Sequence, residues 1–244
     1  MAGKRNKKVS FCLVSITALL ALVGGCRKNG FSVSSETSKD QNQRTETFRQ
    51  DPNTTAWPHP RSEERLHDRK RMVRQIEHFY GLDDKKVLDA MLNVPRHWFV
   101  PDSQQFAAYL DGPLQIGHGQ TISQPFIVAY MTALLELDPN DVVLEVGTGS
   151  GYQAAILSEF TPHVFSIEIL KPLADEAALR LRQWGYTTVQ VKCGDGYQGW
   201  PDHAPFDAII VTCAPDQIPS PLLEQLSPDG RIVIPVGDQW GIQE

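Results

Sequence analysis

Between residues 142 and 236, the apolar residues alternate between short continuous runs and segments with helical spacing. Short, wholly apolar runs are typical of strands that are buried on both faces. The intervening segments Tyr152–Glu159 and Leu173–Trp184 are predicted as helices. The alternation predicts an α/β fold with a Rossmann-like, doubly wound and mostly parallel sheet. The predicted strands are Val142–Val146, Val164–Ile167, Val189–Cys193, Ala208–Thr212 and Arg231–Val236.

Three further helices are predicted before the first of these strands. Met72–Tyr80 has apolar side chains at helical spacing and is followed by Gly81, a residue type that commonly ends helices. Asp84–Leu92 and Phe126–Leu135 show the same spacing. The folded domain is therefore predicted to cover residues 72–244.

The first 71 residues differ in composition from this domain. Several basic residues precede an uncharged, mostly apolar run from Val9 to Val23, which is followed by Gly24-Gly25-Cys26. This order indicates a signal-like segment over residues 1–26, or a lipoprotein-like one in which Cys26 carries the lipid. An incidental apolar tail is the alternative. Residues 27–71 are largely polar and are predicted to form a disordered linker, which becomes basic and compatible with a helix after Arg61.

The charge of the chain changes sign near the same boundary. Residues 1–74 carry a net charge of +8 and residues 75–244 carry −14, which gives −6 for the whole chain. An acidic domain repels a phosphate backbone, so we expect no nucleic-acid partner. The cysteines and histidines lack zinc-like spacing, so we expect no metal site. Cys193 and Cys213 lie at the ends of predicted strands and are expected to be small buried thiols.

The first strand runs directly into a glycine-rich segment, Gly147-Thr148-Gly149-Ser150-Gly151. Glycine lets the backbone turn sharply beneath a ligand, and the start of the following helix presents backbone N–H groups. Because the segment has a strand before it and a helix after it, it predicts a site for a nucleotide-type cofactor.

The glycine spacing discriminates between cofactors. A dinucleotide fingerprint has its third glycine three residues after the second, where this chain has Tyr152. The spacing G-x-G-x-G is instead typical of methyltransferases that use S-adenosylmethionine, which is the predicted cofactor. Glu168, at the end of the second strand, is predicted to accept hydrogen bonds from ribose hydroxyls, and Asp195 to meet the adenine amino group. Thr212 follows the fourth strand, where a loop role and a ligand role are equally good interpretations.

Periodicity does not explain the run Pro113–Pro125. We interpret it as a glycine-hinged loop that carries the hydroxyls of Thr121 and Ser123 and ends in a proline suited to begin a helix. A purely structural interpretation makes Ser123 or Gln124 the N-cap of that helix. The functional interpretation makes the run a substrate loop.

Several motifs extend from about Met72 to Gly237, nearly the whole predicted domain. They are Gly119–Pro125 (GQTISQP), Glu145–Gln153 (EVGTGSGYQ), Val94-Pro95-Arg96 with Phe99-Val100-Pro101, Gly194-Asp195-Gly196 with Gly199-Trp200, and Ala204–Thr212. Together they resemble the protein-L-isoaspartate O-methyltransferase family. The first of them is the most specific.

The resemblance implies methylation of the α-carboxylate of L-isoaspartyl residues in damaged proteins, which would be the partners of this chain. The ester then collapses to a succinimide, which can reopen as normal aspartate. The resemblance also implies that Ser123 is catalytic and that Thr121 supports it, both by orienting the substrate carboxylate. The cofactor-binding residues that it implies, together with those argued above, are Glu145, Gly147, Thr148, Gly149, Ser150, Gly151, Glu168, Asp195, Gly196 and Thr212.

The chain differs from this family in two respects. Family members usually continue beyond the segment that matches Pro235-Val236-Gly237 with two more strands, whereas this sequence ends at Glu244. We therefore expect a sheet without its last two strands, and its activity on peptides is in question. The N-terminal segment is the second difference. Because S-adenosylmethionine is made in the cytosol, we expect a cytoplasmic protein; an exported form that is lipid-anchored through Cys26 is the alternative. We also expect a monomer.

Other functions remain open at this stage. A methyltransferase for a small molecule or an RNA base is one, although Thr212-Cys213-Ala214-Pro215 replaces the Asn-Pro-Pro-Tyr type of motif that amino-methylating enzymes often carry. An inactive, cofactor-binding relic is another. The glycine spacing disfavours a dehydrogenase.

Overall fold

The five predicted apolar runs form one parallel sheet, and a hairpin and helices surround it. The computed structural model describes His59, residues 61–213 and residues 217–235. In chain order, the helices are α1 Leu66–Tyr80, α2 Lys85–Asn93, α3 Pro125–Leu135, α4 Tyr152–Leu157, α5 Lys171–Gln183 and α6 Ser220–Glu224. The strands are β1 Leu114–Gly117, β2 Gln120–Ile122, β3 Val143–Val146, β4 Val164–Glu168, β5 Gln190–Cys193, β6 Phe206–Val211 and β7 Leu226–Val233.

The sheet has the strand order β5-β4-β3-β6-β7, and every neighbouring pair is parallel. The chain winds outward from β3 through β4 to β5, then crosses back to β6 on the other side of β3. This is the doubly wound, Rossmann-like arrangement that the sequence predicted, and the fold class is confirmed. The reversal of winding direction lies at β3, where open α/β sheets commonly bind their ligands.

The three central strands, β3, β4 and β6, are buried on both faces, as continuous apolar runs require, whereas the edge strand β5 is partly exposed. In β3, Val143 belongs to one apolar cluster, to which most of the helices contribute side chains. Leu144 and Val146 belong to a second cluster on the opposite face of the sheet. The alternation follows from the two-residue period of a strand. All four residues of β3 are buried, including Glu145.

The last strand is longer than predicted. It begins at Leu226 rather than Arg231, because the polar segment Ser227–Gly230, whose composition is typical of a turn, continues the strand. The pairing of β6 with β7 is irregular between Phe206 and Ala208, and this irregularity accommodates the segment. The predicted end at Val236 lies outside the described residues, as do the residues after it.

The ordered domain begins earlier than the predicted boundary at Met72. Helix α1 starts at Leu66, and Arg69 within it is almost fully buried. The guanidinium of Arg69 donates hydrogen bonds to the carbonyl oxygens of Leu92, at 2.8 Å, and Ser62. The predicted linker over residues 27–71 is therefore corrected for residues 61–71. The predicted signal-like segment, Cys26 and linker residues 27–58 and 60 lie outside the described residues. Within the described residues, no helix has the length and apolar character needed to span a membrane.

The run Pro113–Pro125 is more regular than a loop. Strands β1 and β2 form an antiparallel hairpin, and the turn between them contains His118 with a φ of 51°. Pro125 begins α3, as predicted, and Gln124 is its N-cap residue, although no side chain caps the helix. The capping interpretation of Ser123 is therefore wrong.

The two cysteines that were predicted to be buried are both exposed. Cys193 is the last residue of β5 and Cys213 follows β6. At these ends the chain leaves the sheet, so the side chains are no longer enclosed between two packed faces. Within the described residues, no group of three or more histidine, cysteine or acidic side chains is arranged to hold a metal ion.

Candidate active site

The glycine-rich segment forms a tight turn between β3 and α4. Gly147, Gly149 and Gly151 have φ angles of 99°, 55° and 89°, a region that side chains with a Cβ rarely adopt. At Gly147 a close contact adds to this requirement, because a Cβ there would lie 2.5 Å from the Oγ1 atom of Thr212. Above Gly149 the space is open, since a Cβ would meet only Ile116 Cδ1 at 3.6 Å.

Thr212 connects the end of β6 to this turn. Its hydroxyl donates to the carbonyl oxygen of Gly147 at 2.7 Å, and its backbone N–H donates to the carbonyl oxygen of Val146 at 2.9 Å. Thr212 therefore has the loop role that the sequence left open. It also lines the adjoining cleft, so the ligand role stays a prediction.

Glu168 is fixed beside the turn from the other neighbouring strand. One carboxylate oxygen accepts from the backbone N–H of Gly149 at 2.9 Å and the other accepts from that of Leu170 at 3.0 Å. The carboxylate is thereby held at the carboxyl edge of the sheet, the edge at which the sequence predicted ribose binding. A carboxylate oxygen has more than one acceptor position, so these bonds leave capacity for further donors.

Glu145 lies below the turn and does not line the cleft. It is fully buried, and Oε2 accepts a hydrogen bond from Ser166, which is also bonded to the hydroxyl of Thr148. Burial raises the pKa of Glu145 to about 8, which outweighs the opposite effect of the Ser166 bond. Oε1 has no hydrogen-bond partner. The carboxyl group therefore reaches the cleft only through Ser166 and Thr148.

A cleft at the carboxyl edge of the sheet brings the two predicted sites together. It encloses about 440 Å³ including its open mouth, within the range of small-molecule sites. Ser123 and Thr121 line it together with residues of the glycine-rich turn. The lining residues are Thr121, Ile122, Ser123, Ile127, Val128, Met131, Gly147, Thr148, Gly149, Ser150, Tyr152, Gln153 and Thr212.

The cleft contains half of the predicted cofactor-binding residues. Gly147, Thr148, Gly149, Ser150 and Thr212 line it. The other five do not: Glu145, Gly151, Glu168, Asp195 and Gly196.

Asp195 and Gly196 have structural contacts of their own. The carboxylate of Asp195 accepts from the backbone N–H of Tyr197 at 3.0 Å and so caps a short 3₁₀ turn. A Cβ on Gly196 would lie 2.4 Å from Val146 Cγ1, so this turn packs directly against β3. The predicted contact of Asp195 with adenine stays a prediction.

The lining fits S-adenosylmethionine in chemical type. The turn supplies positive-φ glycines with open space above Gly149, and Glu168, beside the turn but outside the lining, has a carboxylate of the kind that binds ribose hydroxyls. Ile127 and Met131, one helical turn apart in α3, supply apolar surface. The chain therefore offers both the polar and the apolar contacts that an adenosyl sulfonium requires.

Comparison with known proteins agrees with this geometry. The sequence profile of the family described as protein-L-isoaspartate(D-aspartate) O-methyltransferase matches residues 67–244, well over half of the chain. The chain belongs to this family. The resemblance drawn from its motifs is confirmed, and the matched range begins near the start of α1 rather than at Met72.

Individual members of the protein-L-isoaspartate O-methyltransferase family are closely similar. Protein-L-isoaspartate O-methyltransferase 2 of Shewanella sediminis is 53% identical over 188 residues, which are 77% of each chain. A relative from a Picosynechococcus species is 57% identical over 169 residues, covering 69% of this chain and 76% of the relative. A solved protein-L-isoaspartate O-methyltransferase is 32% identical with a TM-score of 0.64, and the match covers 69% of this chain and 55% of that chain.

One residue of this chain that contacts the site was not predicted from the sequence. Arg96 donates a hydrogen bond from Nη2 to the carbonyl oxygen of Ser123 at 2.7 Å. It appeared in the sequence only as part of the motif Val94-Pro95-Arg96. An arginine in a largely apolar stretch was the available signal, because such a residue must find partners when it is buried.

Proposed function

We propose that this chain transfers a methyl group from S-adenosylmethionine to the α-carboxylate of L-isoaspartyl residues in damaged proteins. The observation that carries the proposal is that Ser123 and Thr121 line the same cleft as the glycine-rich turn. Membership of the protein-L-isoaspartate O-methyltransferase family supports the same reaction.

The cofactor would be held by the glycine-rich turn and its flanking residues. Gly147, Gly149 and Ser150 line the cleft directly, and Glu168 is fixed for hydrogen bonds with ribose hydroxyls. When bound, S-adenosylmethionine supplies a methyl group on a positively charged sulfur. Asp195 is exposed at the same sheet edge, which supports a role beside the adenine.

Ser123 and Thr121 would hold the substrate. Their hydroxyls can donate hydrogen bonds to one oxygen of the isoaspartyl carboxylate and so direct the other oxygen into the cleft. No general base is required, because a carboxylate is already ionised at neutral pH. The rate then depends on orientation and on the removal of water, to which the apolar side chains of Ile127 and Met131 contribute.

A paired-peptide assay tests the proposal. The purified chain is given S-adenosylmethionine labelled in the methyl group and two peptides that differ only in carrying isoaspartate or aspartate at one position. We expect base-labile label on the isoaspartyl peptide alone. Transfer to neither peptide would indicate an inactive relic, and transfer to both would contradict the specificity for isoaspartate.

We also propose that the protein acts as a monomer in the cytoplasm. The support is the supply of S-adenosylmethionine, which is made there. Cell fractionation combined with metabolic labelling of Cys26 by a lipid precursor tests the location, and gel filtration with light scattering tests the monomer. Label on Cys26 in an envelope fraction would favour the lipid-anchored alternative.

A further inference from the structure

Arg96 is a fully buried arginine between the substrate loop and the rest of the domain. It lies in a short 3₁₀ segment, Arg96–Phe99, and has no exposed surface. Nε donates to the carbonyl oxygen of Ala108 at 2.9 Å and Nη2 donates to that of Ser123 at 2.7 Å. Its hydrogen-bond partners are thus backbone oxygens from two different loops.

The same guanidinium also contacts the cofactor side of the cleft. Its central carbon lies 5.1 Å from the centre of the Tyr152 ring, an arrangement typical of a cation–π contact. Tyr152 is the first residue of α4, directly after the glycine-rich turn, and lines the cleft. Arg96 therefore touches both the segment that carries Ser123 and the helix that begins beside the cofactor turn.

Burial of a cation without a carboxylate partner is costly, and within the described residues Arg96 donates its hydrogen bonds to carbonyl oxygens and not to a carboxylate. Burial lowers the pKa of Arg96 to about 10, so the side chain remains charged at neutral pH. The planar fork of a guanidinium can reach two carbonyl oxygens in fixed directions, whereas a lysine ammonium is a single point charge. The site therefore uses a property that only arginine has.

We propose that Arg96 is a positioning residue that fixes the Ser123 segment in register with the glycine-rich turn. It acts through the backbone carbonyl of Ser123 and does not itself touch the substrate. The assignment rests on the proposed function, because Ser123 is the residue that would orient the substrate carboxylate. Without Arg96, the hairpin β1–β2 and the start of α3 keep their own hydrogen bonds, but the segment between them loses its connection to Ala108.

The chain contains a matched control for this proposal. Arg69 is also almost fully buried and also donates to backbone carbonyl oxygens, but these belong to Ser62, Leu92 and Asn93, outside the cleft lining. Arg96→Met and Arg69→Met both remove a buried guanidinium and keep a side chain of similar length. A general loss of stability should therefore affect both variants.

The experiment compares full-length wild type, Arg96→Met and Arg69→Met at a temperature at which all three are folded. Hydrogen exchange of peptides covering residues 118–126 is measured together with kcat and KM for an isoaspartyl peptide. For Arg96→Met we expect faster exchange in this segment and a loss of kcat/KM on the order of tenfold or more, with calorimetric affinity for S-adenosylhomocysteine little changed. For Arg69→Met we expect wild-type exchange in this segment and wild-type kinetics.

Exchange and kinetics equal to wild type in Arg96→Met would overturn the proposal, as would an equal loss of kcat/KM in Arg69→Met. If Arg96→Met does not fold, Arg96→Lys replaces it, because it keeps the charge but cannot span both carbonyl oxygens; unchanged exchange and kinetics in that variant would also reject the role. An inactive wild type would refute the proposed function, whereas the exchange measurement would still test Arg96.

Discussion

At the scale of single residues, the two glutamates that were predicted to bind cofactor have different environments. Glu168 is held by two backbone N–H groups at the sheet edge and is 6% exposed. Glu145 is enclosed beneath the glycine-rich turn, and one of its oxygens has no hydrogen-bond partner. Both residues lie near the same turn, and only the structure distinguishes the carboxylate at the sheet edge from the one beneath the turn. The difference arises because Glu168 is the last residue of β4, whereas Glu145 lies inside β3.

The raised pKa of Glu145 predicts a particular pH dependence of stability. The folded protein binds the proton of the Glu145 carboxyl group more tightly than the unfolded chain does. The contribution of Glu145 to the free energy of unfolding is therefore greatest at low pH and is lost as the pH rises towards about 8. Glu145→Gln removes the ionisation. We compare the free energy of unfolding of this variant with that of wild type at each pH. Variant minus wild type should be larger at pH 8 than at pH 5.5, by at least ~1 kcal/mol.

Urea unfolding of both proteins at the two pH values measures this difference. Glu63→Gln, at an exposed position of the N-terminal segment, is the matched control and should show no such change. A constant difference between Glu145→Gln and wild type across the pH range would show that Glu145 does not titrate in this window.

Ser123→Ala tests the substrate role of the hydroxyl. The change removes one hydrogen-bond donor from the cleft wall, so we expect kcat for an isoaspartyl peptide to fall on the order of 10–100-fold. The calorimetric affinity for S-adenosylhomocysteine should stay close to wild type, because Ser123 lies between β2 and α3, outside the glycine-rich turn. Ser62→Ala, outside the cleft lining, is the control. Unchanged turnover would reject the catalytic assignment of Ser123.

At the scale of elements, the contacts between the 3₁₀ turn after β5 and strand β3 predict a coupled pair of substitutions. Gly196→Ala would force a Cβ against Val146 Cγ1, and overpacking of this kind typically costs about 1–3 kcal/mol. Val146→Ala removes the obstructing atom. The loss of unfolding free energy in the double variant should therefore be smaller than the sum of the two single losses by about 1 kcal/mol. Denaturant unfolding of the four proteins measures this difference.

A nearby glycine provides the control for this cycle. A Cβ on Gly194 would lie 3.5 Å from the nearest atom, Lys192 Cε, which is an ordinary contact. Gly194→Ala should therefore be nearly neutral and should not couple to Val146→Ala. Strict additivity between Gly196→Ala and Val146→Ala would show that the contact has no energetic consequence.

The sequence predicted most elements because their burial is regular. The continuous apolar runs of β3 and β6 and the helical spacing of α5 leave few other arrangements. The hairpin β1–β2 was not predicted, because strands of four and three residues carry too short a pattern. The extension of β7 through Ser227–Gly230 was not predicted either, since these residues have the composition of a turn and lie in the irregularity between the pairs Phe206–Leu226 and Ala208–Arg231.

The candidate site was predicted as far as strand ends determine it. Glu168 and Thr212 follow the two strands that flank β3, so a doubly wound topology brings them to the glycine-rich turn. Arg96 could not be assigned in this way. Its contact with Ser123 joins segments 27 residues apart through a buried side chain, and no local periodicity reports such a contact.

At the scale of the whole molecule, the start of the described chain is anchored at the edge of the sheet opposite the cleft. His59 is buried, and its two ring nitrogens lie 3.3 Å from the carbonyl oxygen of Gly185 and 3.2 Å from that of Ser158. These carbonyls follow α5 and α4, and crossover helices end near the amino ends of the strands. The ring also lies 4.6 Å from that of Tyr186.

His59→Ala is therefore expected to affect stability and not catalysis. Loss of the buried ring leaves a cavity beside Tyr186 and removes a partner from a backbone carbonyl, so we expect the melting temperature to fall by roughly 3–8 °C. Burial also lowers the pKa of His59, so its contribution should weaken as the pH falls below the ordinary histidine pKa, when the unfolded chain takes up the proton. Thermal unfolding at pH 8 and pH 5.5 measures both effects.

The exposed His67 on α1 provides the control, and His67→Ala should have the same melting temperature as wild type. The values of kcat and KM for an isoaspartyl peptide, taken well below the melting temperature, should be the same in both histidine variants. A kinetic defect confined to His59→Ala would show that the far edge of the sheet communicates with the cleft.

The docking of His59 also determines how the molecule can be handled. A fluorophore, an affinity handle or a solid support joined upstream of this residue meets the domain on the rim that faces away from Ser123. Strands β3 and β4, which are four and five residues long, then separate the attachment point from the opening of the cleft. An immobilised preparation should therefore still accept whole proteins as substrates, because their isoaspartyl residues can reach the cleft from solution.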